Sequence, residues 1–435
     1  MMKSLLIVPP NKEGYIRDTF YGCWHKPKYV EYSWPPLYLY QLNSIIPNSK
    51  VMDLIKNNSD PINLIKNENP DIILCNIGSQ TIVEDLKFFK QLKQNIKVKI
   101  IVFGQHPTVD PIDTLKNGII DICIRGEPEN IIKYLIDNIN NPNKLKLIDG
   151  VCFKEQISKK KNLVENLDKL PIPNRKINSK SYHNPLVHNA PYATILISRG
   201  CPFSCTFCTV PTVYGKTFRK RSVNNVIDEL KTLQKQGYKE LFFRDENLTL
   251  NKQYLSNLCE EMIKQNLIFS WICNSRVDTV DTKLLQLMKQ SGCHLIKFGV
   301  ESSNQKTLDY LKKGTTKKQI ENTFNLCNKI GIETLGHFMI GNPNETEKDI
   351  LNTLDFSKKL NPTYASFDIL IYYPKTIKNK SKIPKNKLNH LHKFLFKEFY
   401  LRPNYILLTA LKTKTFTQLV NKIKSSIQLW KKISI

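Results

Sequence analysis

Residues 1 to about 140 alternate short aliphatic and β-branched runs with longer segments of helical spacing. The apolar runs are "KSLLIVPP", "KVMDLI", "PDIILCNIG", "VKIIVFGQHP" and "IDICIRGEPE". Such alternation implies a parallel sheet with helices on both faces, a Rossmann-like α/β unit. Ligands of these sheets lie beyond the carboxyl ends of the strands. Binding is therefore expected at Pro9 to Asn11, Asp53, Asn76 to Gln80, Gly104 to Pro107 and Gly126 to Glu129.

From 141 to 190 the period weakens, and "NNPNKLKL", "SKKKNL" and "LPIPNRKIN" read as a linker with a small hairpin at "LIDGVCFKE". A second series follows over 191–376: "YATILISRG", "KELFFRDENL", "FSWICNSR", "HLIKFGVES", "ETLGHFMIGNP" and "YASFDILIYYP". Between these strands, "NNVIDELKTLQKQG" and "DTKLLQLMKQSG" are helical stretches that stop at glycine. Six βα units in this order predict a complete or partial barrel with its chemistry at the strands' carboxyl ends. Residues 377–435 are basic and amphipathic, and predict a helical lid packed on the barrel in preference to a peripheral membrane contact.

The chain of 435 residues has length for two or three units, and a sizeable core needs no disulfide staples. "MMKSLLIVPP" is apolar only briefly before Pro9 and Pro10, so it reads as a first strand and not a signal peptide. No run reaches the ~20 apolar residues of a membrane span. A cytoplasmic location is expected, where the eleven cysteines point to metal or redox chemistry. Lys and Arg total 65 against 38 Asp and Glu, a formal charge of +27. The basic residues are spread along the whole chain, which argues for a biased composition over a nucleic-acid surface.

The strongest chemical signal is "RGCPFSCTFCTV", with Cys201, Cys205 and Cys208 directly after the first strand of the second series. Three thiolates on one loop can hold three corners of a 4Fe–4S cluster and leave one iron open. Zinc with a distant fourth ligand is the alternative, although Cys259, Cys273, Cys293 and Cys327 are scattered singly and read as core thiols.

"CPFSCTFC" resembles the CxxxCxxC motif of the radical S-adenosylmethionine (SAM) enzymes. The resemblance implies a 4Fe–4S cluster on Cys201, Cys205 and Cys208, with SAM on the fourth iron and reductive cleavage to a 5′-deoxyadenosyl radical. It also implies SAM contacts from Phe207, from Asp245 and Glu246 in "FFRDEN", and from Arg276 in "CNSRVD". Glu301 in "KFGVES" is similar to the family's ribose-binding acid, and Gly341 and Pro343 in "HFMIGNP" to its adenine-binding turn.

The first half, with "FGQHPTVDP" and "IRGEPE", resembles the cobalamin-binding domain that precedes the barrel in one subgroup, and "FYLRP" resembles a motif after it. The implied architecture is a cobalamin-binding domain over 1–140, the linker, a partial (β/α)6 radical SAM barrel over 191–376 and the C-terminal helical segment. Cobalamin contacts are expected at Asn76, Ser79, Gly104, His106, Pro107, Gly126 and Glu127. The Asp-x-His-x-x-Gly motif that ligates cobalt elsewhere is absent, which makes His106 a peripheral contact at most. After "IYYP" the segment "KTIKNKSKIPKNK" is shorter than the subgroup's pattern.

The implied activity is cobalamin-dependent C-methylation of an unactivated carbon in a lipid, isoprenoid or natural product. Electrons would come from flavodoxin or ferredoxin, and a monomer is expected. Cyclisation or rearrangement without methyl transfer is the near alternative. An RNA methylthiotransferase would need a second cluster on Cys23, Cys75 and Cys123, but the last two lie inside strand runs. A zinc-containing nucleic-acid-binding protein would show recurring Cys/His pairs or aromatic-interleaved basic patches, and neither is present.

Overall fold

The computed structural model describes residues 2–10, 34–56, 60–175, 182 and 184–411. The first sheet comprises β1 (Ser4–Val8), β2 (Ser49–Asp53), β3 (Ile72–Asn76), β4 (Lys99–Phe103), β5 (Ile122–Ile124) and β6 (Val151–Cys152). Its order is β2-β1-β3-β4-β5-β6, parallel except for the antiparallel β5–β6 pair. Successive side chains alternate between faces, and both faces are covered. Leu6, Leu74, Ile101 and Phe103 enter one core, while Leu5, Ile7, Ile73, Ile100 and Val102 enter the other. Burial on both faces is what makes these runs continuously apolar.

The predicted linker contributes to this sheet. Val151 and Cys152 are fully buried against β5, and Phe153 and Gln156 close the expected hairpin. The run "IDICIRGEPE" is a strand only over Ile122–Ile124, because Gly126 turns the chain at φ 89°.

The second sheet is formed by β7 (Tyr192–Ile195), β10 (Glu240–Phe243), β11 (Ser270–Ser275), β12 (Cys293–Glu301), β13 (Glu333–Ile340) and β14 (Tyr364–Ile369). All neighbouring pairs are parallel and the order follows the chain, with β7 and β14 at the edges among the described residues. This is the open six-stranded barrel expected from the strand pattern. Helices cover its outer face. Val223–Lys235 begins at Ser222, whose hydroxyl accepts from Asn225 N–H, and Lys317–Ile330 begins with a Thr316/Gln319 capping box.

The run "YATILISRG" divides into two strands. After Ile195 the Asp245 carboxylate accepts the N–H groups of Ile197 and Ser198, so β8 (Ser198–Arg199) leaves the barrel and pairs antiparallel with β9 (Arg219–Lys220). The cysteine segment is the loop between β8 and β9.

In the C-terminal segment, the helix Lys385–Tyr400, followed by a second helix Pro403–Leu411, buries Leu388, Leu395 and Phe399 in the barrel core, and the Tyr400 hydroxyl donates to Ala365 O at 2.7 Å. The lid reading therefore describes this helix, while residues 412–435 lie outside the described residues. Among the described residues, no helix is long and apolar enough to cross a membrane.

Candidate functional site

Gly200 enters the cysteine loop at φ 90°, and a Cβ there would lie 2.2 Å from Thr217 O, so only glycine fits. Cys201, Cys205 and Cys208 keep partial exposure, whereas Cys75, Cys123, Cys152, Cys259, Cys273, Cys293 and Cys327 are buried. Burial is the main cause that lifts the Cys201 thiol to about 11 and Cys208 well above its ordinary value, and the neighbouring thiols add to both shifts. Three thiolates can stay together here only with positive charge nearby. The protein supplies some of it. The Arg276 guanidinium lies 3.7 Å from the centre of the Phe203 ring, with Nη1 3.8 Å from Cys205 Sγ.

The expected SAM residues fall into two groups. Phe207 is buried with Leu311, Met339, Leu370 and Ile377 beside Cys205 and Cys208. Glu246 is half-buried near Cys201 and Cys208, and burial followed by repulsion from Asp245 lifts its carboxyl to about 8. Glu301 is buried at φ 68°; Oε1 accepts from Lys313 Nζ at 2.7 Å, and Oε2 is buried without a hydrogen-bond partner. Gly299 makes room for this pair, since a Cβ there would meet Glu301 Oε1 at 2.5 Å and Lys313 Nζ at 2.6 Å. Gly341 turns at φ 82°, and its N–H and that of Asn342 donate to Glu345 Oε2; Pro343 follows in the same turn.

Two acid and arginine positions are used differently from the expectation. Asp245 is fully buried and accepts from Ile197 N, Ser198 N and Ser198 Oγ, so it anchors the strand before the cysteine loop and does not face a ligand's amino group. Arg276 makes its bidentate contact with Asp278, at 2.9 and 2.8 Å, and donates to Lys313 O at 2.6 Å. Its carboxylate partner is therefore internal.

The expected cobalamin residues also divide. Asn76, Ser79, Gly104 and Pro107 lie at the carboxyl ends of β3 and β4, but His106 is buried with Nδ1 2.8 Å from Ser79 Oγ and Nε2 3.0 Å from Asp113 Oδ2. Both ring nitrogens are engaged, so His106 ties two loops together. Gly126 sits beneath Asn162, whose carbonyl oxygen a Cβ would meet at 2.0 Å. Glu127 accepts from Arg219 at 2.6 and 2.8 Å and from Val164 N at 2.5 Å. That carboxylate joins the first sheet to β9 and is not available to a ligand.

Residues missed from the sequence make the junction between the sheets. Arg199, two positions before Cys201, pairs with Glu129 at 2.6 Å and lies 3.5 Å from Glu127. Its guanidinium lies 5.8 Å from the ring centres of Tyr38 and Tyr214, whose hydroxyls are hydrogen-bonded to each other. Val109 packs on Val210, Val213 and Tyr214, with Tyr38, Cys201 and Cys208 around them. Lys313, the last residue of "DYLKK", is another; its buried charge is legible only once Glu301 is placed beside it.

Residues 195–357 match the family model for the Radical SAM superfamily. An uncharacterized methyltransferase of Pyrococcus horikoshii is 33% identical over 390 residues, covering 86% of this chain and 82% of the relative. The chain belongs to the radical SAM family.

A radical SAM enzyme uses a 4Fe–4S cluster and SAM, and the cysteine loop fits that group: three accessible thiols occupy one loop, with cationic Arg276 and Lys313 close by. A second relative, the anaerobic magnesium-protoporphyrin IX monomethyl ester cyclase of Rubrivivax gelatinosus, is 26% identical and covers 79% of this chain and 65% of the relative. Among solved structures, the radical SAM methyltransferase TsrM of Kitasatospora setae, with cobalamin and a [4Fe-4S] cluster bound, superposes with a TM-score of 0.71 at 19% identity. It covers 86% of this chain and 77% of TsrM. The cobalamin-dependent radical SAM enzyme OxsB, with aqua-cobalamin and SAM bound, gives 0.64 at 19% identity, covering 92% of this chain and 56% of OxsB. This radical SAM chain therefore shares the two-unit fold of both.

Proposed function

We propose that this radical SAM enzyme binds cobalamin between its two sheets and methylates an unactivated carbon of a lipid, isoprenoid or other small natural product. The observation that carries the reading is the junction itself: the segment after β4 packs on the cysteine loop through Val109 and Tyr214, and the loop after β3 reaches the segment after β14, with Gln80 Nε2 2.9 Å from Tyr373 Oη. Gln105 fits a polar ligand there. Its Oε1 accepts from Ser79 N–H at 2.8 Å, and its buried Nε2 donor has no partner.

Bound in these places, the cluster supplies an electron to cleave SAM and cobalamin a transferable methyl group. Cys201, Cys205 and Cys208 hold the cluster, and Arg276 orients Cys205 through its hydrogen bond. Glu301 Oε2 accepts a ribose hydroxyl, the Gly341–Pro343 turn and Phe207 flank the adenine, and Glu246 meets the ammonium. Ser79, Gly104, Gln105 and Pro107 form the corrinoid-facing edge. Val109, Val213 and Tyr214 exclude water from the side of the loop that they cover.

Chain reconstituted anaerobically with iron, sulfide and hydroxocobalamin, then desalted, should keep both the cluster and the corrinoid absorbance and release 5′-deoxyadenosine from SAM under a low-potential reductant. Loss of all corrinoid on desalting removes the cobalamin part of the reading. The cyclase relative supports a second outcome, ring formation without methyl transfer, distinguished by a product that gains no methyl mass.

A further inference from the structure

The opposite end of the barrel carries a second cluster of ligating side chains. His188 lies in the segment before β7, His294 is the second residue of β12 and Glu333 is the first of β13. One ligand atom of each lies within 4.8 Å of the others. His188 Nε2 is 3.3 Å and His294 Nδ1 3.8 Å from Glu333 Oε2, and the two imidazoles stack with centres 3.9 Å apart.

The arrangement is built from behind by Glu240, the first residue of β10, which is fully buried. Its Oε1 takes His294 Nε2 at 2.8 Å, and its Oε2 takes the N–H groups of His188 and Asn189 at 2.8 and 2.7 Å and the Ser270 hydroxyl at 3.0 Å. A carboxylate only accepts, so His294 Nε2 carries a proton and Nδ1 is the ring nitrogen left to ligate. Nδ1 lies 3.8 Å from Glu333 Oε2, and both atoms are buried without a hydrogen-bond partner. Two imidazole nitrogens and a carboxylate oxygen thus converge on one point, the donor set of a cation site.

We infer that His188, His294 and Glu333 bind a divalent transition ion of the zinc class, with Glu240 as the carboxylate that orients His294. Two imidazoles and a carboxylate suit zinc, and bonds of ~2.0–2.2 Å in tetrahedral geometry put ligand atoms about 3.3 Å apart. A carboxylate on the non-ligating ring nitrogen is the usual support of a metal-bound histidine. The site lies at the amino ends of β10, β12 and β13, away from the cysteine loop, where barrel residues serve stability. The ion therefore staples the segment entering β7 to the base of the barrel.

The test uses the full-length, anaerobically reconstituted enzyme, with zinc and iron measured together after passage over a chelating resin and re-exposure to zinc. The expected content is about one zinc per chain in the wild type and in a C201A/C205A/C208A variant that has lost its iron. H188Q and E333Q should keep their iron and fall below about a tenth of that zinc content. Zinc should also raise the melting temperature of the metal-stripped wild type but not of H188Q, a readout that does not depend on either variant's yield. Zinc content that follows the cysteines, or that is equal in H188Q, E333Q and wild type, overturns the inference. So does a wild type that takes up no zinc, the result expected if a shared proton alone sits between His294 and Glu333.

Discussion

Arg199 Nη2 lies 2.6 Å from Glu129 Oε1, joining the strand that enters the cysteine loop to the turn after β5 of the first sheet. Both side chains are almost fully buried, and Glu127 lies 3.5 Å from the same guanidinium while also holding Arg219. Replacing Arg199 with Met would leave Glu129 unpaired. The expected cost is about 3–5 kcal/mol of stability, read as a lower urea midpoint. Iron content should fall with it, because the loop loses its tie to the first sheet.

Cys205→Ala should lose the 4Fe–4S absorbance and SAM cleavage while far-UV circular dichroism stays native. Cys205 is partly exposed and touches only the edge of the Phe207 cluster, whereas Cys273 is fully buried in the barrel core, so little packing is lost. Full SAM cleavage by this variant would sink the assignment of the cluster to the loop.

Glu301→Gln removes the charge that pairs with buried Lys313 and weakens the free acceptor at Oε2. SAM affinity is expected to drop about tenfold, or about 1.4 kcal/mol, in equilibrium binding to the reconstituted enzyme. Gly299→Ala should act in the same direction, since its Cβ would displace both partners. Unchanged SAM binding in both would remove Glu301 from the ribose site.

Glu345 gives a pH signature. Burial lifts its carboxyl from the ordinary value to about 7, partly opposed by the Asn342 and Gly341 N–H groups. The folded chain thus holds a proton that the unfolded chain releases near the ordinary carboxyl value, so stability falls as pH rises from about 4.5 to about 7 and then levels. Glu345→Gln removes this dependence. Urea midpoints at pH 5 and pH 8 should differ less in the variant than in the wild type; an equal difference would show that Glu345 does not titrate in this window.

Asp245→Asn tests whether this residue is an anchor or a ligand contact. An anchor loses one of the two acceptor oxygens that take the N–H groups of Ile197 and Ser198, which costs about 1–3 kcal/mol, read in thermal melts. A direct SAM contact would instead weaken SAM binding with no change in melting temperature.

Apolar periodicity alone determined the two series of strands, because a strand buried on both faces must be continuously apolar wherever it pairs. The spacing of Cys201, Cys205 and Cys208 likewise marked out a loop able to hold a metal group, because three ligands on one short segment are brought together by local chain geometry alone. Neither cue reaches the polar groups. Glu127, Asp245 and Arg276 looked like ligand contacts in one dimension, yet each is satisfied inside the protein by Arg219, Ser198 and Asp278. His188, His294 and Glu333 are far apart in sequence and meet only because parallel strands gather their amino ends at one face. A buried polar atom takes the nearest complementary group in space, and only the tertiary structure decides which group that is.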